Sequence, residues 1–325
     1  MRRVQANDGI ELLYTKTINP DPTGPEFVFE YAGPVRLPGN QLDLDIKADL
    51  CLLPTATNGN DNVNLSNCSD TWSGLGGHDN IYALAGNDTV HGNAGNDDIY
   101  GGTGNDHLYG DEGQDYLNGG EGDDHLFGGE GHDGLSGGDG NDQMFGGDGS
   151  DNMWGHDGFD LLMGGAGYDN LMGQGDADTL YGGADDDDLS GGQGNDQLHG
   201  DEGEDVLQGD GGRDELFGGV DADLFVFTDG STGVGGNSDR IWDFSQAEGD
   251  EISLYYNDDS QPFESPYTFE FVGYANNVAD GEVGYYHVND DTRVIGREDG
   301  SLFEIEIVDQ TLDLSLADFS AEDVI

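Results

Sequence analysis

Basic residues are nearly missing: nine lysines and arginines face 69 aspartates and glutamates, a formal charge of −60 over 325 residues. Nucleic-acid binding is excluded on that ground, because a basic face is needed to displace counterions from phosphates. Anionic membranes are excluded by the same sign. Long hydrophobic runs are also missing. No stretch approaches the ~18 consecutive apolar residues of a spanning helix, so no transmembrane segment is expected. Residues 1–9 hold two arginines with no apolar core after them, so no cleavable export signal is expected either. Cysteine is scarce: Cys51 and Cys68 are the only two, too few for a disulfide scaffold. Their spacing leaves open whether they bridge, and two ordinary thiols is the plainer expectation. With 34% apolar residues and this much self-repulsion, the chain resembles a disordered polyanion as much as a globule. A cationic ligand is required to tip it toward order.

Glycine, by contrast, is abundant at 58 residues, and it is periodic. Residues 56–226 read as nineteen consecutive frames of nine, in phase throughout, on the pattern G-G-x-G-x-D-x-U-x with U apolar. Gly101-Gly102-Thr103-Gly104-Asn105-Asp106-His107-Leu108-Tyr109 is a full instance. Position six is aspartate in all nineteen frames, position eight is apolar in all nineteen, and position one is glycine in sixteen. Glycines permit tight turns with positive φ and let carbonyl oxygens converge. The aspartate adds a carboxylate to those carbonyls, a hard oxygen set that suits Ca²⁺ better than Mg²⁺, which holds its waters. The stretch D-x-U-x is expected to be a short strand whose apolar side chain enters a narrow core.

Two frames make one coil, so the expected fold is all-β: a right-handed parallel β-roll with frame n beneath frame n+2, closed by an antiparallel β C-terminal cap. Several Ca²⁺ ions would sit between stacked turns. The candidate ligands are Asp61, Asp79, Asp88, Asp97, Asp106, Asp115, Asp124, Asp133, Asp142, Asp151, Asp160, Asp169, Asp178, Asp187, Asp196, Asp205, Asp214 and Asp223. Frame 65–73 lacks every glycine, which makes Asp70 a doubtful ligand, and Asp176, Asp185 and Asp221 replace the fourth-position glycine, where they are expected to distort their turns. Residues 56–226 hold 38 acids and one base, Arg213. Two carboxylates ~5 Å apart repel by roughly 1 kcal/mol in water and ~3 at an effective dielectric of 20, so the metal-free repeat should be unfolded.

This block resembles the calcium-binding repeats of RTX (repeats-in-toxin) proteins. Beyond it, Gly281-Glu282-Val283-Gly284-Tyr285-Tyr286, Val294-Ile295-Gly296-Arg297-Glu298-Asp299-Gly300 and Leu314-Ser315-Leu316-Ala317-Asp318-Phe319 resemble the C-terminal domain of serralysin-type RTX proteases. The resemblance implies a secreted, extracellular calcium-binding protein, exported by a type I secretion apparatus that reads the C-terminal end. It also implies a β-roll that folds on meeting Ca²⁺ outside the cell, with a cell surface or matrix component as a further partner. The domains expected are 1–55, a short N-terminal β segment or cap with strands near 26–31 and 42–46; 56–226, the roll; and 227–325, the cap and secretion signal. Strands are expected in the cap near 267–274, 282–288, 292–296 and 302–308.

Catalytic motifs are missing. None of the eight histidines is followed by glutamate, so the H-E-x-x-H of a zinc protease is not there. Gly134-Leu135-Ser136-Gly137-Gly138 matches G-x-S-x-G only across a repeat boundary, far from the strand-to-helix elbow that motif needs. Asp185 to Asp188 read as a solvated edge or additional cation binding. The chain is therefore read as no enzyme, the alternative being the calcium-binding part of a secreted hydrolase of protease, lipase or epimerase type.

Overall fold

Period-two alternation decides where each strand lies. Counting on by two from the apolar residue at position eight reaches position one of the next frame, so both face inward and the strand runs from position seven to position three. The computed structural model describes residues 2–5, 11–18, 27–31, 53–228, 238–255, 270–274, 282–288, 291–298, 301–308, 312 and 314. They fall in two units, Met1–Ile46 and Lys47–Ile325. The first contains an antiparallel sheet of β1 (Arg2–Gln5), β2 (Glu11–Ile18) and β3 (Phe27–Tyr31), in that order. The strand expected at 42–46 and the chain end at 321–325 lie outside the described residues.

In the second unit, nineteen strands run from β4 (Asn62–Asn64) to β22 (Leu224–Thr228), one per frame. Most have six residues, such as β9 (His107–Glu112), with Leu108 and Gly110 turned inward. The aspartate thus precedes its strand, where the sequence pattern placed it within. Alternate strands pair in parallel at a step of eighteen residues, for example Leu117 with Leu135 and Leu126 with Met144. The result is a parallel β-roll with two sheets. Each coil places two apolar side chains in the interior, and most of them are fully buried.

Parallel pairing continues past residue 226. β23 (Asp239–Ile241) pairs in parallel with β21 (Glu215–Val220), and β24 (Glu251–Tyr255) with β22. Both intervals exceed the dozen residues that a parallel crossover needs, and Ile241 and Ile252 extend the buried column. Then follow β25 (Glu270–Tyr274), β26 (Glu282–Val288), β27 (Asp291–Glu298) and β28 (Ser301–Ile307). β26, β27 and β28 form the expected antiparallel meander. β25 with β26 and β28 with β23 are parallel, so the cap is mixed where its edges meet. Covering the edge of the roll this way removes a site for strand addition.

Position nine faces outward, and the two sheets differ there. On the 14-stranded sheet it carries a column in register that includes His91, Tyr109, Phe127, Phe145, Met163 and Tyr181. Rings of this column stack face to face, with centroids 4.3 Å apart for His91 and Tyr109 and 4.9 Å for Phe127 and Phe145. On the 11-stranded sheet the same position is mixed: Tyr82 and Tyr100 stack at 4.9 Å and Trp154 and Met172 follow, but Asn118, Ser136 and Ser190 interrupt the column.

Cys68 is disulfide-bonded, and Cys51 is the only other cysteine of the sequence. This corrects the expectation of two ordinary thiols. Frame 65–73 holds Cys68 where the pattern has its fourth glycine, so the cross-link falls where the repeat is weakest. Among the described residues, no helix is long and apolar enough to cross a membrane.

Candidate metal centre

Each turn places its aspartate at the head of a strand with the side chain turned into the roll. Asp133 is typical: its Oδ1 accepts a hydrogen bond from the backbone N–H of Asp115 at 2.8 Å, and its own N–H donates to Oδ1 of Asp151 at 2.7 Å. The same bond links successive aspartates eighteen residues apart along both edges of the roll, from Asp61–Asp79 to Asp205–Asp223. The other oxygen is left over. From Asp79 to Asp223 every ladder aspartate has a buried Oδ2 without a hydrogen-bond partner, and so does Asp239.

That oxygen faces the position-one glycine of its own frame. A Cβ on Gly128 would meet Asp133 Oδ2 at 2.5 Å and the carbonyl oxygen of Gly146 at 2.6 Å. Position one thus needs glycine to leave space where a carboxylate oxygen and a backbone carbonyl converge; positive φ is confined to other positions. Position four does adopt it, as in Gly131 at φ 150°. Asp176, Asp185 and Asp221 take φ of 65°, 74° and 78° in the same place, so they keep the left-handed turn they were expected to distort.

Burial holds these carboxyls well above the ordinary aspartate range. Asp106 and Asp142 are pushed up to about 7, and Asp178, Asp187 and Asp223 to about 8. Desolvation is the largest cause, opposed by the backbone N–H from eighteen residues earlier and reinforced by neighbouring carboxylates. Asp214 and Asp239, a tightly linked pair, are both raised, again mainly by burial. An unsatisfied buried acceptor costs about 1–3 kcal/mol, more when charged. Against a total stability of about 5–15 kcal/mol, a handful of ionised, unpartnered Oδ2 atoms is enough to unfold the coils. A cation or a proton must satisfy them.

The donor set fits a hard cation. Among the described residues, no three His, Cys, Asp or Glu side chains converge as a metal cluster, so any coordination shell must be completed by backbone oxygens. Carboxylate plus carbonyl without nitrogen or sulfur favours Ca²⁺ over transition metals, and flexible geometry favours it over Mg²⁺.

The expected ligands do not all behave alike. Seventeen of the eighteen, Asp79 to Asp223, sit in the ladder with Oδ2 free. Asp61 differs: Thr57 donates its N–H to Oδ2 at 2.7 Å and its Oγ1–H to Oδ1 at 3.0 Å, so the carboxylate is already satisfied. Asp70 is closed in the same way by the N–H and hydroxyl of Ser66, at 2.8 and 2.7 Å. At the other end, Asp239 and Asp250 take the next rungs, accepting from Asp214 at 3.0 Å and Asp223 at 3.2 Å over steps of 25 and 27 residues. Asp250 is closed by the N–H of Ser245 at 2.7 Å, and only Asp239 keeps a free Oδ2. Sequence period alone missed both, because the intervals of 25 and 27 residues break the nonapeptide spacing.

A repeat solenoid with an aspartate at every turn defines a class of cation-binding rolls. Residues 73–225 match the family described as RTX calcium-binding nonapeptide repeat, whose four-copy profile aligns with eight overlapping segments from 73–108 to 190–225. No curated protein matches the chain in sequence. Among solved structures, the solution structure of the AlgE6R3 subunit of the mannuronan C5-epimerase from Azotobacter vinelandii is 26% identical, covering 47% of this chain and 80% of that one, with a TM-score of 0.29.

Proposed function

We propose that this chain is a secreted calcium-binding protein whose roll, residues 56–226, folds as it binds several Ca²⁺ ions outside the cell. The observation that carries this reading is the unbroken file of buried, partnerless Oδ2 atoms. Ca²⁺ would supply the positive charge that lets those carboxylates remain ionised. Ladder aspartates from Asp79 to Asp223, with position-one glycine carbonyls, would hold it. The chain's own groups do the rest: backbone N–H groups fix each Oδ1, and the position-one glycines keep the space before Oδ2 open in every frame from 74–82 onward but 83–91. Ligand that binds only the folded state stabilises it by RT ln(1+[L]/Kd) per site. Extracellular modules with Kd of ~10⁻⁴ to 10⁻³ M would stay unfolded at cytosolic calcium and fold outside.

Export through a type I apparatus, with residues 227–325 as cap and signal and 1–55 as a leading β segment, belongs to this reading. So does a cell-surface or matrix partner. A disulfide at Cys68 supports an oxidising destination. The test is far-UV circular dichroism with hydrodynamic radius across a Ca²⁺ titration, with Mg²⁺ as control. Cooperative β formation and compaction near millimolar Ca²⁺ alone are expected; a compact fold that survives excess chelator overturns the reading.

A further inference from the structure

Acids line the outer surface of both sheets, Glu121, Asp139 and Asp157 in register on one and Glu112, Glu130 and Asp148 on the other, but an unbroken outward column of large side chains runs along the 14-stranded sheet alone. The ladder accounts for nineteen of the 38 acids in residues 56–226, leaving nineteen others against Arg213. Neutralising the buried aspartates with cations would therefore leave the surface strongly acidic. On the 14-stranded sheet, the outward column from Tyr109 to Phe217 is aromatic, histidine or methionine at every strand, and Met163 is 39% exposed. At ~4.8 Å per strand this column is on the order of 30 Å long.

Beside it, position two is glycine at 129, 147, 165 and 183, so no side chain separates Phe127 from Glu130 or Phe145 from Asp148, and at 111 it is a further acid, Asp111. At position three, Glu112, Glu130 and Asp148, all exposed, lie in register on adjacent strands. Like charges directly opposite are unfavourable. Stacking occupies the ring faces and leaves their edges outward. A continuous strip of this length bordered by acids, unlike the interrupted column of the other sheet, is the kind of exposed apolar feature that marks an interaction surface.

We infer that the outer face of the 14-stranded sheet binds an extended, basic segment of another protein, whose apolar side chains cover the ring edges of Phe127, Phe145 and Met163 while its lysines or arginines meet Glu112, Glu130 and Asp148. Charge complementarity selects this occupant. A second copy of the chain carries the same −60, and nucleic acid and anionic lipid are repelled likewise.

The probe is a fluorescein-labelled decapeptide alternating lysine and leucine, about 33 Å when extended, and the control alternates lysine and serine. Both are titrated by anisotropy into the full chain, folded in saturating Ca²⁺ as checked by circular dichroism. Binding of the lysine–leucine peptide at least tenfold tighter than the control, lost in Phe127→Ser/Phe145→Ser and retained in Tyr100→Ser on the other sheet, is expected. Equal binding of the two peptides overturns the inference, as does self-association or uptake by neutral vesicles through the same rings. A photo-leucine version of the peptide gives a readout independent of the ring variants. Cross-links on residues 125–130 and 143–148 support the site, and cross-links on the 11-stranded sheet overturn it. Because the chain is held folded, failure here leaves the calcium reading intact.

Discussion

At the scale of single residues, the position-one glycines and the ladder aspartates are two halves of one device. A methyl at Gly128 would enter the space shared by Asp133 Oδ2 and the Gly146 carbonyl. Overpacking of this kind costs about 1–3 kcal/mol. Gly128→Ala should therefore lower the calcium-loaded stability by that amount and remove one site from a Ca²⁺ isotherm. Gly76→Ala, whose Cβ would first meet a carbonyl at an ordinary 3.5 Å, should change neither. Ala83 already holds position one in frame 83–91, with Asp88 as its partner. Ala83→Gly should raise calcium affinity, read as a lower titration midpoint.

The raised carboxyls also set a pH dependence with a definite sign. An unfolded aspartate titrates near 3.9, whereas Asp106 is pushed up to about 7 and Asp187 to about 8 in the roll. Between those values the folded, metal-free chain binds more protons than the unfolded one. The stability this contributes is fully present below about pH 4 and is lost as pH rises through about 7 to 8. In chelator, β-structure should increase on lowering the pH from 8 to 5. Calcium affinity should move the other way, since only the ionised carboxylate binds. Far-UV circular dichroism at the two pH values checks both, and a metal-free chain that is more folded at pH 8 would contradict the proton account.

At the scale of elements, the strands were legible because two periodicities coincide: nine residues for the frame and two for the pleat. The cap strands at 282–288 and 302–308 were legible from alternation as well. The strand boundary was less so, since a glycine at position one shows no apolar signal and its inward direction emerges only when Gly110 is seen buried beside Leu108. The cap aspartates were hidden for a different reason. Asp239 and Asp250 join the ladder over steps of 25 and 27 residues, which no fixed period can find.

Partly buried ion pairs hold the cap strands together without metal. Arg293 meets Glu304 at 2.8 Å and also Glu306, which pairs with Arg240 at 2.8 Å. Removing Arg293 takes one cationic partner from each of two buried carboxylates, Glu304 and Glu306, at a cost of at most about 3–5 kcal/mol. Arg293→Met should accelerate amide exchange across β27 and β28 while coils near residues 107–148 keep their protection in calcium. Equal loss in both regions would mean that the cap and coils melt as one unit.

At the scale of the whole molecule, the ladder is metal-demanding in its middle and largely self-satisfied at its ends. Thr57 closes Asp61, Ser66 closes Asp70, and Ser245 closes Asp250, while every ladder aspartate from Asp79 to Asp223 keeps a free Oδ2. In a solenoid each coil contacts only its neighbours, so local losses stay local unless the interfaces are strong. Near the cap, Phe225, Phe244, Val294, Ile305 and Ile307 give a wider apolar core than the paired side chains of a coil. Removing calcium should therefore strip amide-exchange protection from residues 79–214 first, while β26 to β28 stay protected through their side-chain core and ion pairs. Pulse-labelled exchange after mixing with chelator reads this order directly. Simultaneous loss along the entire second unit would show that coil-to-coil coupling outweighs the metal-free closures at its ends, and that the ladder responds to calcium as a single cooperative body.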